Sequence, residues 1–257
     1  MTDLAQGQRR LEGKIAVVTG AGAGIGQGCA AMFAAQGATV HALDIDRAAL
    51  ESTVAFAPAS INAVVTDLLD PDATMQAINA IGEAHGRIDI LMPAAAVSVF
   101  KWIEEMDLSD WRRTLIGELD IVFIVTRAAW PWLKASGRAS IIGFASANAH
   151  MALDGSPALA HCAGKGGVLA LTRQLAMEGA PHGIRANSIS PGLIVTRQTR
   201  RHMDADPGFE TAVLRQSMIK RLGQPQDIAW CATWLASDEA GYVTGTDIVI
   251  DGGSTAW

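Results

Sequence analysis

Lys14-Ile-Ala-Val-Val-Thr-Gly20-Ala-Gly-Ala-Gly-Ile-Gly26 decides the fold. The β-branched run at its start has the length of a buried parallel strand and stops at a glycine. Glycines then stand at 20, 24 and 26, and an alanine-rich helix is predicted over Gln27–Gln36. Such a strand-to-helix turn needs glycine because it is tight and because its backbone must come close to a pyrophosphate. The helix N-terminus then meets that negative charge. A glycine pattern alone marks only a turn; between a strand and a helix it marks a dinucleotide site.

Further strands follow at spacings that leave room for helices: Thr39–Asp44, Ala63–Thr66, Ile88–Met92, Ala139–Phe144, Ile184–Ser190 and a last one opening at Thr246. Strands alternating with helical patterns predict an α/β fold of the Rossmann type. We expect a doubly wound parallel sheet of seven strands with helices on both faces, one domain over 1–257. Residues 1–12 read as a loose arm. Asp44 ends the second strand about 20 residues beyond the loop, where an acid can bond a ribose 2′-hydroxyl. It would repel a 2′-phosphate, and the loop carries no Arg or Lys, so NAD is the expected cofactor. Asp46 is a second candidate for this role, and Arg47 is a basic residue beside it. Asp67 reads equally as a cofactor contact or as a helix N-cap before Pro71.

Three motifs carry a family resemblance over roughly residues 12–255: Thr19-Gly-x-x-x-Gly-x-Gly26, Ser146 followed by His161-x-x-x-Lys165, and Pro191-Gly-Leu-Ile-Val-Thr196. They resemble the short-chain dehydrogenase/reductase family, in the branch that carries T-G-x-x-x-G-x-G and a Tyr-x-x-x-Lys helix. The resemblance implies cofactor contacts at Gly20, Gly24, Ile25 and Gly26, an adenine contact at Asp67 and Leu68, and further contacts at Ala94 and Lys165. Pro191, Gly192, Ile194 and Thr196 match the segment that holds the nicotinamide carboxamide. Residues 197–220 match the variable segment that covers the substrate, with Arg197, Arg200, Arg201 and His202 at its start.

The chain departs from the family at three places. His161 stands at the catalytic tyrosine, and the chain's only tyrosine, Tyr242, is remote in sequence. Pro93-Ala-Ala-Ala96 replaces Asn-Asn-Ala-Gly. Glu118 stands where counting from Trp111 places a catalytic asparagine. The i, i+4 spacing puts His161 and Lys165 on one helical face. A neutral imidazole that accepts a proton becomes a cation beside the lysine, and Glu118 offsets that repulsion. The two changes thus share one physical cause. Pattern selects Ser146 as the residue that orients the substrate oxygen; strict counting back from His161 selects Asn148.

Composition bounds the rest. Hydrophobic residues are 49% of the chain, charged residues 18%, and the net charge is −6, which argues against a nucleic-acid surface. Cys29, Cys162 and Cys231 are scattered, as in reduced cytoplasmic proteins. No apolar run reaches membrane-spanning length. No metal is expected, since His150, His161, Cys162 and His202 lack ligand spacing. A small, apolar face on the helix Ala163–Gly179 suits a homo-oligomer, a tetramer or dimer. The expected function is NAD-dependent interconversion of a secondary alcohol and a ketone, with catalytic Ser146, His161, Lys165 and Glu118. A redox-neutral lyase or epimerase using His161 and Glu118, and a silent NAD-binding partner, stand as alternatives.

Overall fold

Strand β1, Ile15–Thr19, is buried along its whole length, as a β-branched run inside a parallel sheet is. Its side chains alternate: Ala16 and Val18 enter one apolar cluster, Ile15 and Val17 the other, on the opposite face of the sheet. The computed structural model describes residues 9–153, 155–205 and 208–256. The further strands are β2 (Thr39–Asp44), β3 (Ile61–Val65), β4 (Ile90–Pro93), β5 (Ser140–Phe144), β6 (Arg185–Pro191) and β7 (Asp247–Ile250). They form one seven-stranded sheet in the order β3-β2-β1-β4-β5-β6-β7, parallel throughout. The expected architecture is therefore the observed one.

The helices are α1 (Gly24–Ala35), α2 (Arg47–Val54), α3 (Pro71–His85), α4 (Leu108–Leu115), α5 (Ile121–Ser136), α6 (Leu159–Gly179), α7 (Arg197–Ala205), α8 (Phe209–Gln216) and α9 (Pro225–Ala236). α1 and α9 pack together over the first cluster; α3, α5 and α6 cover the second. Strand order reverses between β1 and β4, which opens a crevice beyond the carboxyl ends of the strands. Every functional segment predicted from sequence leaves the sheet at that edge.

One expectation needs correction, and another gains a detail. The arm is not loose over its last four residues: Leu11 is wholly buried in the first cluster, and its N–H donates to Gln36 O at 2.9 Å. Residues 1–8 lie outside the described residues. The long helix expected from Asp110 to Trp132 is present, unbroken from Leu108 to Ser136, and it contains a π-helical turn over Ile116–Asp120 between α4 and α5. The cause lies at Gly117. A side chain there would stand 2.4 Å from Val97 O, and Val97 N–H donates to Gly117 O at 3.1 Å. The helix widens by one residue to let residue 97 approach, the kind of insertion that re-aims a side chain.

One titration is built into this scaffold. His41 on β2 is half-buried, with its Nε2 2.9 Å from His85 Nε2. Burial first, then His85, pushes the His41 imidazole down to about 4. An unfolded imidazole titrates near ~6.5. Between those values the unfolded chain binds a proton that the folded chain refuses, so stability falls as pH drops through this window. The melting temperature should fall between pH 7 and pH 5, and His41→Val should flatten that stretch of the curve. An equal drop in both proteins would remove His41 as the cause.

Candidate active site

The glycine loop is held by close approach on both sides. Gly20 has φ +63°, and a Cβ there would stand 2.7 Å from Ala95 Cα. A Cβ on Gly26 would stand 2.2 Å from Gly20 O. Thr19 Oγ1 accepts the N–H groups of Ala94 (3.0 Å) and Ala95 (3.1 Å), so the segment after Pro93 is stitched to the loop without an asparagine. α1 begins at Gly24, and Ala23 before it supplies no side-chain cap. The first N–H groups of α1 are left for an anion.

A groove of about 900 Å³ runs past this loop, lined by Gly22, Gly24, Gln27, Asp46, Thr196 and Arg200 among others. Asp44 accepts Gly22 N–H at 2.9 Å and Asp46 N–H at 3.1 Å, which fixes the loop against the end of β2. Asp46 lines the groove and caps α2. Asp67 accepts Leu69 N–H, whereas Asp70 caps α3, so the N-cap reading of Asp67 is overturned. Leu68 turns its side chain into the second cluster, which leaves any cofactor contact to its backbone. The glycine cradle and the uncapped helix fit a dinucleotide phosphate.

A second cavity of about 650 Å³ adjoins the groove. Ile25, Ala94, Pro191, Gly192, Ile194 and Thr196 line it, as do Ser146, His161, Lys165 and Glu118. Glu118 lies in the π turn with 1% of its surface exposed. Its Oε1 is 2.6 Å from His161 Nδ1 and also accepts the Ser98 hydroxyl. Its Oε2 is buried without a partner, next to Gly164, where a Cβ would be 2.7 Å away. His161 Nε2 lies 3.3 Å from Ser146 Oγ. One turn along α6, Lys165 is buried and donates to Phe144 O at 3.1 Å. Burial pushes the Lys165 ammonium down from its ordinary range, and Glu118 offsets part of that.

The structure thus brings all four predicted catalytic residues into one cluster. Asn148 also lines the cavity, and its N–H donates to Ser146 Oγ at 3.2 Å. Tyr242 is fully exposed and does not line the cavity. Arg197 and Arg200 face the groove and Arg201 the cavity; the His202 side chain and residues 206–207 lie outside the described residues. Sequence reasoning missed Ser98, whose only signal was its place beyond Pro93-Ala-Ala-Ala96. It missed Phe100 as well, which tilts against the His161 ring at 5.4 Å between centroids. Among the described residues, no cluster of three or more His, Cys, Asp or Glu could hold a metal, and no helix is long and apolar enough to cross a membrane.

A family profile described as enoyl-(acyl carrier protein) reductase matches residues 20–255. D-threitol dehydrogenase of Mycolicibacterium smegmatis is 35% identical over 96% of this chain and 94% of its own. The chain belongs to the short-chain dehydrogenase/reductase family. Galactitol 2-dehydrogenase (L-tagatose-forming) of Cereibacter sphaeroides, another similar dehydrogenase, is 36% identical over 96% of this chain and 97% of its own. The solved structure of a provisionally assigned 2-deoxy-D-gluconate 3-dehydrogenase of Agrobacterium tumefaciens, with bound NADP, is 31% identical. It superposes with a TM-score of 0.87 over 98% of this chain and 100% of that one. As a short-chain dehydrogenase/reductase, the protein is an oxidoreductase, and its family works with a nicotinamide cofactor.

Proposed function

We propose that this protein is an NAD-dependent dehydrogenase that interconverts a secondary alcohol and a ketone, with His161 in place of the family tyrosine as acid/base. The observation that carries this reading is the line Ser146 Oγ–His161–Glu118, at 3.3 and 2.6 Å, with Lys165 one turn away. Glu118 accepts the Nδ1–H, which leaves the Nε2 lone pair for a substrate hydroxyl. Ser146 donates to the substrate oxygen and orients it. The Lys165 cation favours the departure of the alcohol proton, and Glu118 keeps the resulting imidazolium from facing that cation alone. A bound nicotinamide dinucleotide supplies the hydride acceptor or donor. Gly20, Gly24, Ile25 and Gly26 would hold its phosphates, Asp44 or Asp46 its ribose, and Ala94, Pro191, Gly192, Ile194 and Thr196 its nicotinamide end.

The relatives that act on threitol and galactitol support a polyol as substrate. Gln198, Gln216 and Arg201 bring polar groups to the cavity, and α7 and α8 form its outer wall. Exposed apolar side chains at Leu108, Ile116, Phe123, Leu159 and Met177 on α4 to α6 support a homo-oligomer. The free thiols of Cys29, Cys162 and Cys231 suit the reducing cytoplasm.

A screen of polyols with NAD, read as absorbance of the reduced nicotinamide, tests the reading. Ser146→Ala should lower turnover by about 10²–10³-fold, as loss of an oxyanion-type donor does. A larger loss in Asn148→Ala, with the fold intact, would transfer the role to Asn148.

The carboxylates at the end of β2 support NAD over NADP. Titration should give much weaker binding of NADP, and Asp44→Ala should narrow the gap. Equal affinities in the unaltered protein would sink the assignment of Asp44.

A further inference from the structure

We infer that the same cluster has a second, redox-independent activity: Ser146, His161 and Glu118 form a nucleophile–base–acid triad that hydrolyses carboxylic esters. Three observations carry it. The Oγ···Nε2 and Nδ1···Oε1 separations, 3.3 and 2.6 Å, are those of a hydroxyl, an imidazole and a carboxylate in line. The first is long for an O–H···N bond, as unliganded sites are before a substrate tightens them. The carboxylate is buried, and its bond to Nδ1–H selects the tautomer in which Nε2 accepts the Ser146 proton. A tyrosine at 161 would offer neither nitrogen.

Second, Ser146 is placed as a nucleophile. It lies two residues beyond the end of β5 and caps the 3-10 turn Ala147–Ala149, with Asn148 N–H donating to Oγ at 3.2 Å. The N–H of Ala147 is the first of that turn and has no acceptor within it. Ser146 itself is extended (φ −165°, ψ 156°), and this free N–H beside it can donate to the oxyanion that forms on the ester carbonyl. Third, the cavity in front of Oγ is mainly apolar, lined by Ile25, Phe100, Met151, Leu153, Phe209 and Val213, and suits a short acyl chain.

The chemistry balances without an oxidant. Ser146 Oγ bonds to the ester carbon as its proton passes to Nε2. The carbon–alkoxy bond breaks, and the leaving oxygen takes that proton as the alcohol. Water then attacks the acyl carbon and gives a proton to Nε2. The acyl–Oγ bond breaks, Oγ recovers the proton, and the carboxylic acid leaves. The sum is ester plus water to acid plus alcohol.

p-Nitrophenyl butyrate, added to the full chain free of dinucleotide, tests this. We expect repeated turnover and a butyryl group on Ser146 when the reaction is quenched and digested for mass spectrometry. Ser146→Ala and His161→Phe should each cut the rate by at least about 10³-fold, towards the buffer rate. Glu118→Gln, at the positioning residue, should lower kcat with KM unchanged. Thermal melts check that each variant is folded, and Ser146→Cys is the second variant: it should keep the acyl mass and lose turnover. Unaltered hydrolysis in Ser146→Ala, label on Cys162 or Lys165 instead, or a stoichiometric burst without turnover would each overturn the triad. This inference shares residues with the dehydrogenase reading but not its readout. Polyol-dependent NADH without ester turnover removes the triad alone; ester turnover without NADH for any alcohol removes the dehydrogenase alone.

Discussion

His161→Phe should lower NAD-dependent turnover by about 10²–10⁴-fold, the range that a positioned acid/base contributes. Cofactor affinity should stay nearly unchanged, because the glycine loop and the end of β2 lie outside the His161 contacts. The fold should pay a smaller penalty. Phenylalanine fills the space beside Phe100, but Glu118 Oε1 then keeps only Ser98, in a site where Oε2 already lacks a partner. A buried acceptor that loses its donor costs about 1–3 kcal/mol. The melting temperature should therefore drop in His161→Phe and recover in His161→Phe/Glu118→Gln, with no return of activity. His161→Tyr alone restores the family's residue but leaves the same stranded carboxylate. His161→Tyr/Glu118→Asn replaces both departures and should regain turnover over His161→Phe. Full activity in His161→Phe would end the histidine mechanism.

Lys165→Met should lower activity and take one pH-dependent contribution out of the stability curve. The ammonium is buried and bonded to Phe144 O, and burial outweighs Glu118 in setting its protonation. Turnover should fall by about 10²-fold or more, since no cation then favours loss of the alcohol proton. A pH series separates this from a packing effect. The folded lysine titrates below its unfolded value of about 10.4. Between the two, the unfolded chain binds more protons, so stability rises with pH across that window. This slope should vanish in Lys165→Met. A slope that persists in the variant would assign it to another group.

The fold was legible because a parallel sheet writes itself as apolar runs of strand length. Ile15–Thr19 and Ser140–Phe144 are buried at every residue, and each ends at a residue that the site uses. The candidate site was legible where spacing along one helix sufficed, as for His161 and Lys165. Glu118 was found by counting from Trp111, but its contact with His161 depends on a π turn. No periodicity argument reaches that turn, because it follows from Gly117 yielding to residue 97. Ser98 was invisible for the same reason: it meets Glu118 across a loop. Leu11 was misread because a polar stretch surrounds it, and one buried leucine is enough to fasten residues 9–13.

The segment after β4 joins two parts of the protein that chain order keeps apart. Ala94 and Ala95 donate to Thr19, Val97 to Gly117, and Ser98 to Glu118. For protein engineering, this makes the proposed acid/base apparatus a module of three pieces rather than a single interchangeable position. A graft of the family's loop in place of residues 93–98 would carry its own asparagines and glycine to β1, yet would remove the hydroxyl that holds Glu118. Exchange of the loop, the π turn and position 161 together is the smallest transplant that keeps each donor matched to an acceptor.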